Sequence, residues 1–190
     1  MKLTEAEIKE LRNLRTTTDY DEIWYKEVIK RKLLDNRVLL HCLNNVELEK
    51  ANADADEYFG VSVLPYYIIP EVQHNVQNFV CYEVQFKHDI KDNKLFKTAQ
   101  IVFYVLCSEK DLIDKDTYLA RHDLLSALIL KEFNWSNYFG FQMRCTSNIP
   151  TIVDKSYACR TIIFEGSTFN SITDTSIESG TSTINSEVRI

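Results

Sequence analysis

Two runs near the middle of the chain alternate apolar and polar side chains with the period of two of a half-buried strand. In Phe79 to Ile90, Val80, Tyr82, Val84 and Phe86 alternate with Cys81, Glu83, Gln85 and Lys87. In the second run Leu95, Ala99, Ile101, Phe103, Val105 and Cys107 share one face, against Phe96, Thr98, Gln100, Val102, Tyr104 and Leu106. Between them, Lys91-Asp92-Asn93-Lys94 predicts a turn, because Asp and Asn bond their own backbone and tolerate positive φ. Centring the turn there pairs Phe86 with Ala99, Val84 with Ile101, Tyr82 with Phe103 and Val80 with Val105, all apolar and on one face. The opposite face is polar near the turn and apolar at the base, so the tip is expected to project into solvent or onto a partner.

After Cys107 a charged segment leads to Asp116, which can cap a helix whose first turn is Thr117, Tyr118 and Leu119. At 100° per residue Tyr118, His122, Leu125, Ile129 and Phe133 form one stripe, flanked by Leu128, and the helix is expected to lie across the sheet. Nearer the start, Thr4 and Glu7 have the spacing of a capping box, and Ile8 and Leu11 with Leu14 or Arg15 give a short helix ending near Thr16. Asp19 or Asp21 begins a second helix carrying Tyr25, Ile29 and Leu33. Asp35 is placed to cap a third, through Val38, Leu39, Cys42 and Leu43.

From Val46 to Gln77 the chain turns acidic and small-residued, and then becomes an aromatic, proline-bracketed stretch, Leu64-Pro65-Tyr66-Tyr67-Ile68-Ile69-Pro70. So long a connection without helix or strand period is commonly an interaction arm. Its prolines suit an edge strand or a segment draped over a neighbour. Tyr66 and Tyr67 are then candidate anchors, or simply pack onto the parent sheet. Beyond the central helix, Phe139, Phe141, Met143 and Cys145 alternate with Gly140, Gln142, Arg144 and Thr146. Tyr157 to Phe164 reads as another strand, joined to the first by a loop holding Pro150.

The fold class that follows is α+β: short N-terminal helices, a four-stranded antiparallel sheet of two hairpins with a helix packed across it, a long extended arm and a C-terminal tail. The segments are 1–45 (helices), 46–77 (acidic loop and arm), 78–165 (hairpin–helix–hairpin core) and 166–190 (Ser/Thr-rich tail). That tail buries too little to fold by itself and is expected to be ordered by a partner or a neighbouring subunit.

Charge narrows the function. With 22 Lys and Arg against 28 Asp and Glu, a net −6, the chain lacks the cationic balance of a dedicated nucleic-acid binder. An acidic lining would still let a polyanion pass through a channel without sticking. Five dispersed cysteines without CxxC read as buried free thiols of a reducing compartment. The N-terminus lacks the apolar core of a signal peptide, and nowhere do 18 apolar residues run together, so the chain is expected to be a soluble protein made in a cytoplasm, with no membrane partner.

No constellation of residues points to catalysis, so the expectation is no enzyme, no metal and no cofactor. Four glycines, at 60, 140, 166 and 180, cannot build a phosphate cradle. His41, His74, His88 and His122 stand far apart. The Lys30-Arg31-Lys32 cluster sits among carboxylates as a solvated helix face, and the acidic residues of 47–57 lack the spacing and turn glycine of a calcium loop. His122 fits a hydrogen-bonded core residue. The densest polar cluster, Arg121-His122-Asp123, fits a salt bridge at a helix start or across a subunit boundary. Arg144 and Arg160 could reach a partner from the outer face of the second hairpin. Tyr66, Tyr67, Arg121, Asp123, Arg144 and Arg160 are therefore the candidates for contact with partners or neighbouring subunits.

The order helix, Leu-Pro-Tyr arm, long hairpin, helix, second hairpin and tail resembles small neck proteins of tailed bacteriophages, of the tail-terminator, tail-completion and head-to-tail joining types. The phrases that carry the resemblance span roughly residues 20 to 170. They are Lys32-Leu33-Leu34-Asp35, Leu64 to Pro70, Leu119-Ala120-Arg121-His122-Asp123-Leu124-Leu125, Phe133-Asn134-Trp135-Ser136 and Arg160-Thr161-Ile162-Ile163-Phe164-Glu165. The resemblance implies a virion protein without an active site, forming a ring, typically a hexamer, through contacts of arm and hairpin. Its partners would be the tail tube protein and the head connector, with DNA only passing through the lumen. A twelvefold connector subunit is the near alternative. A binding module that captures a peptide by strand addition is the other, and a metal-dependent enzyme acting on nucleic acid comes last.

Overall fold

The computed structural model describes residues 3–13, 21–68, 77–87, 96–152 and 156–169. It is α+β, with a mixed five-stranded sheet in the order β1-β2-β3-β5-β4. The strands are β1 (Val63–Leu64), β2 (Phe79–Lys87), β3 (Phe96–Ser108), β4 (Arg144–Ile152) and β5 (Tyr157–Phe169), and the helices are α1 (Glu5–Asn13), α2 (Asp21–Leu34), α3 (Arg37–Cys42), α4 (Val46–Ala51) and α5 (Arg121–Phe133).

The first hairpin has the register its alternation dictates: Val80 faces Val105, Tyr82 faces Phe103, Val84 faces Ile101 and Phe86 faces Ala99. All but the half-buried Phe86 are buried, beneath α2 and α5. A one-residue slip would turn this whole apolar row outward, so burial on one face fixes the pairing. The row continues into β5, where Ile162 lies beside Phe103 and Phe164 beside Ile101. Leu125, Ile129 and Phe133 of α5 close over it, with the Phe103 and Phe133 rings 5.1 Å apart. At the other end of the core, Tyr25 of α2 stacks on Phe139 at 4.6 Å.

Several expectations are corrected. The sheet has a fifth strand, since Val63 and Leu64 of the arm pair parallel to β2 and are buried. Two residues are too few to show a period of two, and Pro65 ends the strand at once. Within the acidic stretch, Asn45 caps α4 through the Leu48 N–H, and a 3-10 turn follows at Ala55–Tyr58. Asn36, not Asp35, caps α3.

The alternation Phe139, Phe141, Met143 is not strand. These side chains fill irregular backbone around Gly140 (φ +79°), and β4 begins only at Arg144. Pro150 belongs to β4 and not to a connecting loop. The sheet order puts β4 at the edge, where a missing N–H is tolerated. α5 starts at Arg121, four residues later than Thr117. The first hairpin's turn at 91–94, the helix start at Asp19, the end near Thr16 and the tail from 170 onward lie outside the described residues; β5 itself continues to Phe169. At Gly166 any Cβ would collide with the Phe141 ring and come within 2.9 Å of the Gln142 carbonyl, so this close approach demands glycine.

Candidate assembly surface

Arg121, at the first residue of α5, is 3% exposed and organises one end of the molecule. Its Nε donates to the Asp111 carbonyl (3.0 Å) and its Nη1 to the Cys42 carbonyl (2.8 Å). The guanidinium also pairs with the carboxylates of Asp111 (3.2 Å) and Asp114 (3.3 Å). Asp111 further accepts from Asn44 (2.7 Å) and Asn78 (2.9 Å), and Asn78 bonds the Leu43 carbonyl and the Ser108 N–H. One planar, five-donor group thus ties the end of α3, the start of β2 and the end of β3 together. Its charge is neutralised inside the chain, so the contact proposed for Arg121 is internal.

That network holds a loop whose apolar tip faces outward. The Asp114 carboxylate accepts from the Thr117 N–H (2.9 Å) and hydroxyl (2.7 Å). Backbone bonds Asp114 N to Leu119 O, Tyr118 N to Asp114 O and Arg121 N to Leu112 O close the loop around an Ile113–Ala120 bridge. The hydroxyl bond from Thr117 leads in holding the Asp114 carboxyl below its usual range, against the opposing effect of burial; the Thr117 N–H, the Arg121 charge and the Asp116 N–H add to it.

A depressed carboxylate contributes stability that is complete above the unfolded-state pKa, about 3.9, and is lost as pH falls through the lower folded value. The stability gap between wild type and Asp114→Asn is therefore expected to be constant from pH 7 to about 5 and to close below about pH 4. Thermal melts across that range measure it, and a gap independent of pH would show that this carboxylate does not titrate with folding.

Outside the loop, Tyr118 is 82% exposed, beside Leu119 and Ile113, both more than half exposed. Tyr118 also has φ +59°. It is not in the buried stripe because Asp114 captures Thr117 and turns the backbone before the helix begins. A left-handed aromatic costs on the order of 1 kcal/mol. A second one, Trp135 (φ +63°), stands 57% exposed just past the end of α5. Its N–H bonds the Met143 carbonyl (2.7 Å), and Asn134 before it accepts from Cys145 N (2.9 Å). Helical periodicity does not flag Trp135; its exposure depends on where the helix stops.

The other candidates divide. Asp123, half exposed, pairs with Arg160 at 2.6 Å, and Arg160 also reaches the Asn148 amide oxygen. Arg160 pairs opposite Val105, so it faces the helix layer and not the outer face. His122 Nε2 lies 3.4 Å from Asp123, while its Nδ1 is buried without a partner. The Ser126 hydroxyl accepts from the Asn148 amide. Arg144 is exposed at the start of β4. Tyr66 is half exposed, whereas the Tyr67 ring packs 4.5 Å from Tyr104 and its N–H bonds Glu83. Tyr66, Arg144 and Asp123 are thus available at the surface, Tyr67 partly, and Arg121 and Arg160 bond within the chain.

Among the described residues no group of His, Cys, Asp and Glu is arranged to hold a metal ion, and no helix is long and apolar enough to cross a membrane. All five cysteines are unpaired, and burial pushes the Cys81 thiol up to about 12. The arrangement can therefore offer apolar and aromatic anchors on a stiff frame, which is the chemistry of protein contact. The model of the YomW family matches residues 36–165, from α3 through most of β5. No curated protein matches the chain.

Proposed function

The chain belongs to the YomW family, which is phage-derived, and from that premise we propose that it is a structural protein of the phage particle. It forms a ring at the neck, ends the tail tube and joins it to the head connector. The observation that carries this reading is the loop of Ile113, Tyr118 and Leu119, an apolar tip pinned by a buried ion-pair network. Solvent gives no reason to hold three large apolar side chains outward on so stiff a support; a protein neighbour does. The net charge of −6 fits a wall past which DNA slides without binding.

Strand addition on the edge strand β4 is the second reading. The bulge between Cys145 and Ser147 and the proline at 150 both interrupt that edge, which favours the ring.

Native mass spectrometry over a concentration series is expected to give a closed species of six copies of the 22.2 kDa chain. Twelve copies would select the connector, and a strict monomer that binds an extended peptide would select strand addition. Independently, gold-labelled antibody is expected to mark the head–tail junction of particles. Particles without label would overturn the neck role.

A further inference from the structure

Four described non-glycine residues have left-handed backbone: Asn44, Asn52, Tyr118 and Trp135. Asparagine adopts that conformation readily, and large aromatics do not. The two aromatics are also largely exposed, Tyr118 at 82% and Trp135 at 57%, so packing within the chain offsets only part of the strain. They flank a single straight element. Tyr118 comes three residues before α5 and Trp135 two residues after it, and a 13-residue helix is roughly 20 Å long. The two rings therefore stand at opposite ends of the subunit's central helix.

A contact in which one patch meets a different patch on an identical copy, and so can close into a ring, needs two separate surfaces on each copy. We infer that the occupant of each aromatic end is a second copy of this chain, the Tyr118 end of one subunit seated against the Trp135 end of the next. This deepens the ring reading and rests on it. Charge at the two ends agrees with the pairing. Asp116, 82% exposed, stands beside Tyr118, and His41 lies between it and Glu49. At the other end Lys131 is exposed one turn before Trp135, and Lys32 lies over the nearby Tyr138 ring. Lys115 at the first end and Glu132 at the second run against the trend, although Glu132 is engaged by the Tyr138 hydroxyl.

Tyr118→Asn and Trp135→Asn test the inference, because asparagine accepts the same backbone while removing the ring. Each variant of the full chain is expected to keep or raise the wild-type melting temperature and to remain monomeric in native mass spectrometry where the wild type assembles. Mixing the two variants restores one intact contact and is expected to give a pair containing one copy of each, and nothing larger. Assembly unchanged by either substitution overturns the inference while leaving the ring reading standing. A mixture that forms no pair, as a contact using the same patch on both copies would give, also overturns it. A wild type that stays monomeric at every concentration overturns it whatever antibody labelling of particles shows.

Discussion

Replacing Arg121 with methionine is expected to lower folding stability by about 3–5 kcal/mol, because it strands two carboxylates that are taken out of water. The Asp111 and Asp114 side chains are only 10% and 12% exposed, and Arg121 is the cation that pairs with both. For a chain of this size such a loss corresponds to a melting temperature lower by roughly 6–20 °C. Arg121→Lys is expected to recover only part of it. A single ammonium cannot reach the Asp111 carbonyl, the Cys42 carbonyl and two carboxylates at once. Urea unfolding of the three proteins measures the difference, and a methionine variant within about 1 kcal/mol of wild type would mean that water reaches the pair freely.

The second large effect is expected at Phe103. Its ring is fully buried where three aromatic contacts converge: Tyr82 across the hairpin, Phe164 on β5 and Phe133 on α5. Phe103→Ala removes those contacts and leaves a cavity that strands hydrogen-bonded on both sides cannot collapse into. The expected cost is about 3–5 kcal/mol, with the denaturant slope unchanged. Phe103→Leu keeps most of the volume and is expected to cost well under half as much. Equal losses for the two variants would indicate that ring geometry, and not occupied volume, governs the site.

Why the hairpin was legible and the loop before α5 was not comes down to which forces each obeys. Thirteen residues of β3 bury one continuous face, so a period of two repeats often enough to set both the strand and its register. The helix was legible for the same reason: Leu125, Ile129 and Phe133 recur with its period and are buried. Tyr118 falls in phase with that stripe, yet one side-chain hydrogen bond from Thr117 to Asp114 redirects it. Phe139, Phe141 and Met143 alternate like a strand because Phe139 and Met143 are buried in the core, but the ladder with β5 begins only at Arg144. Val63 and Leu64 are the converse case, a pairing with too little sequence to show.

The candidate site was legible as residue types and not as directions. The Arg121-His122-Asp123 cluster stands out in the sequence, whereas the inward turn of Arg121 depends on a partner as distant as Cys42 and on Asp111, which Asn78 in turn holds. The exposure of Trp135 depends on where α5 ends.

The spread of the Arg121 partners along the chain also orders events in time. Contacts between residues 42, 78, 111 and 121 close loops that span much of the domain, and such closures are slow compared with forming a hairpin or a helix. Until they form, the loop of Ile113, Tyr118 and Leu119 has its own short-range bonds but no anchor to the end of α3 or the start of β2. On the proposed ring reading, subunits therefore become competent to associate only after the individual fold is complete.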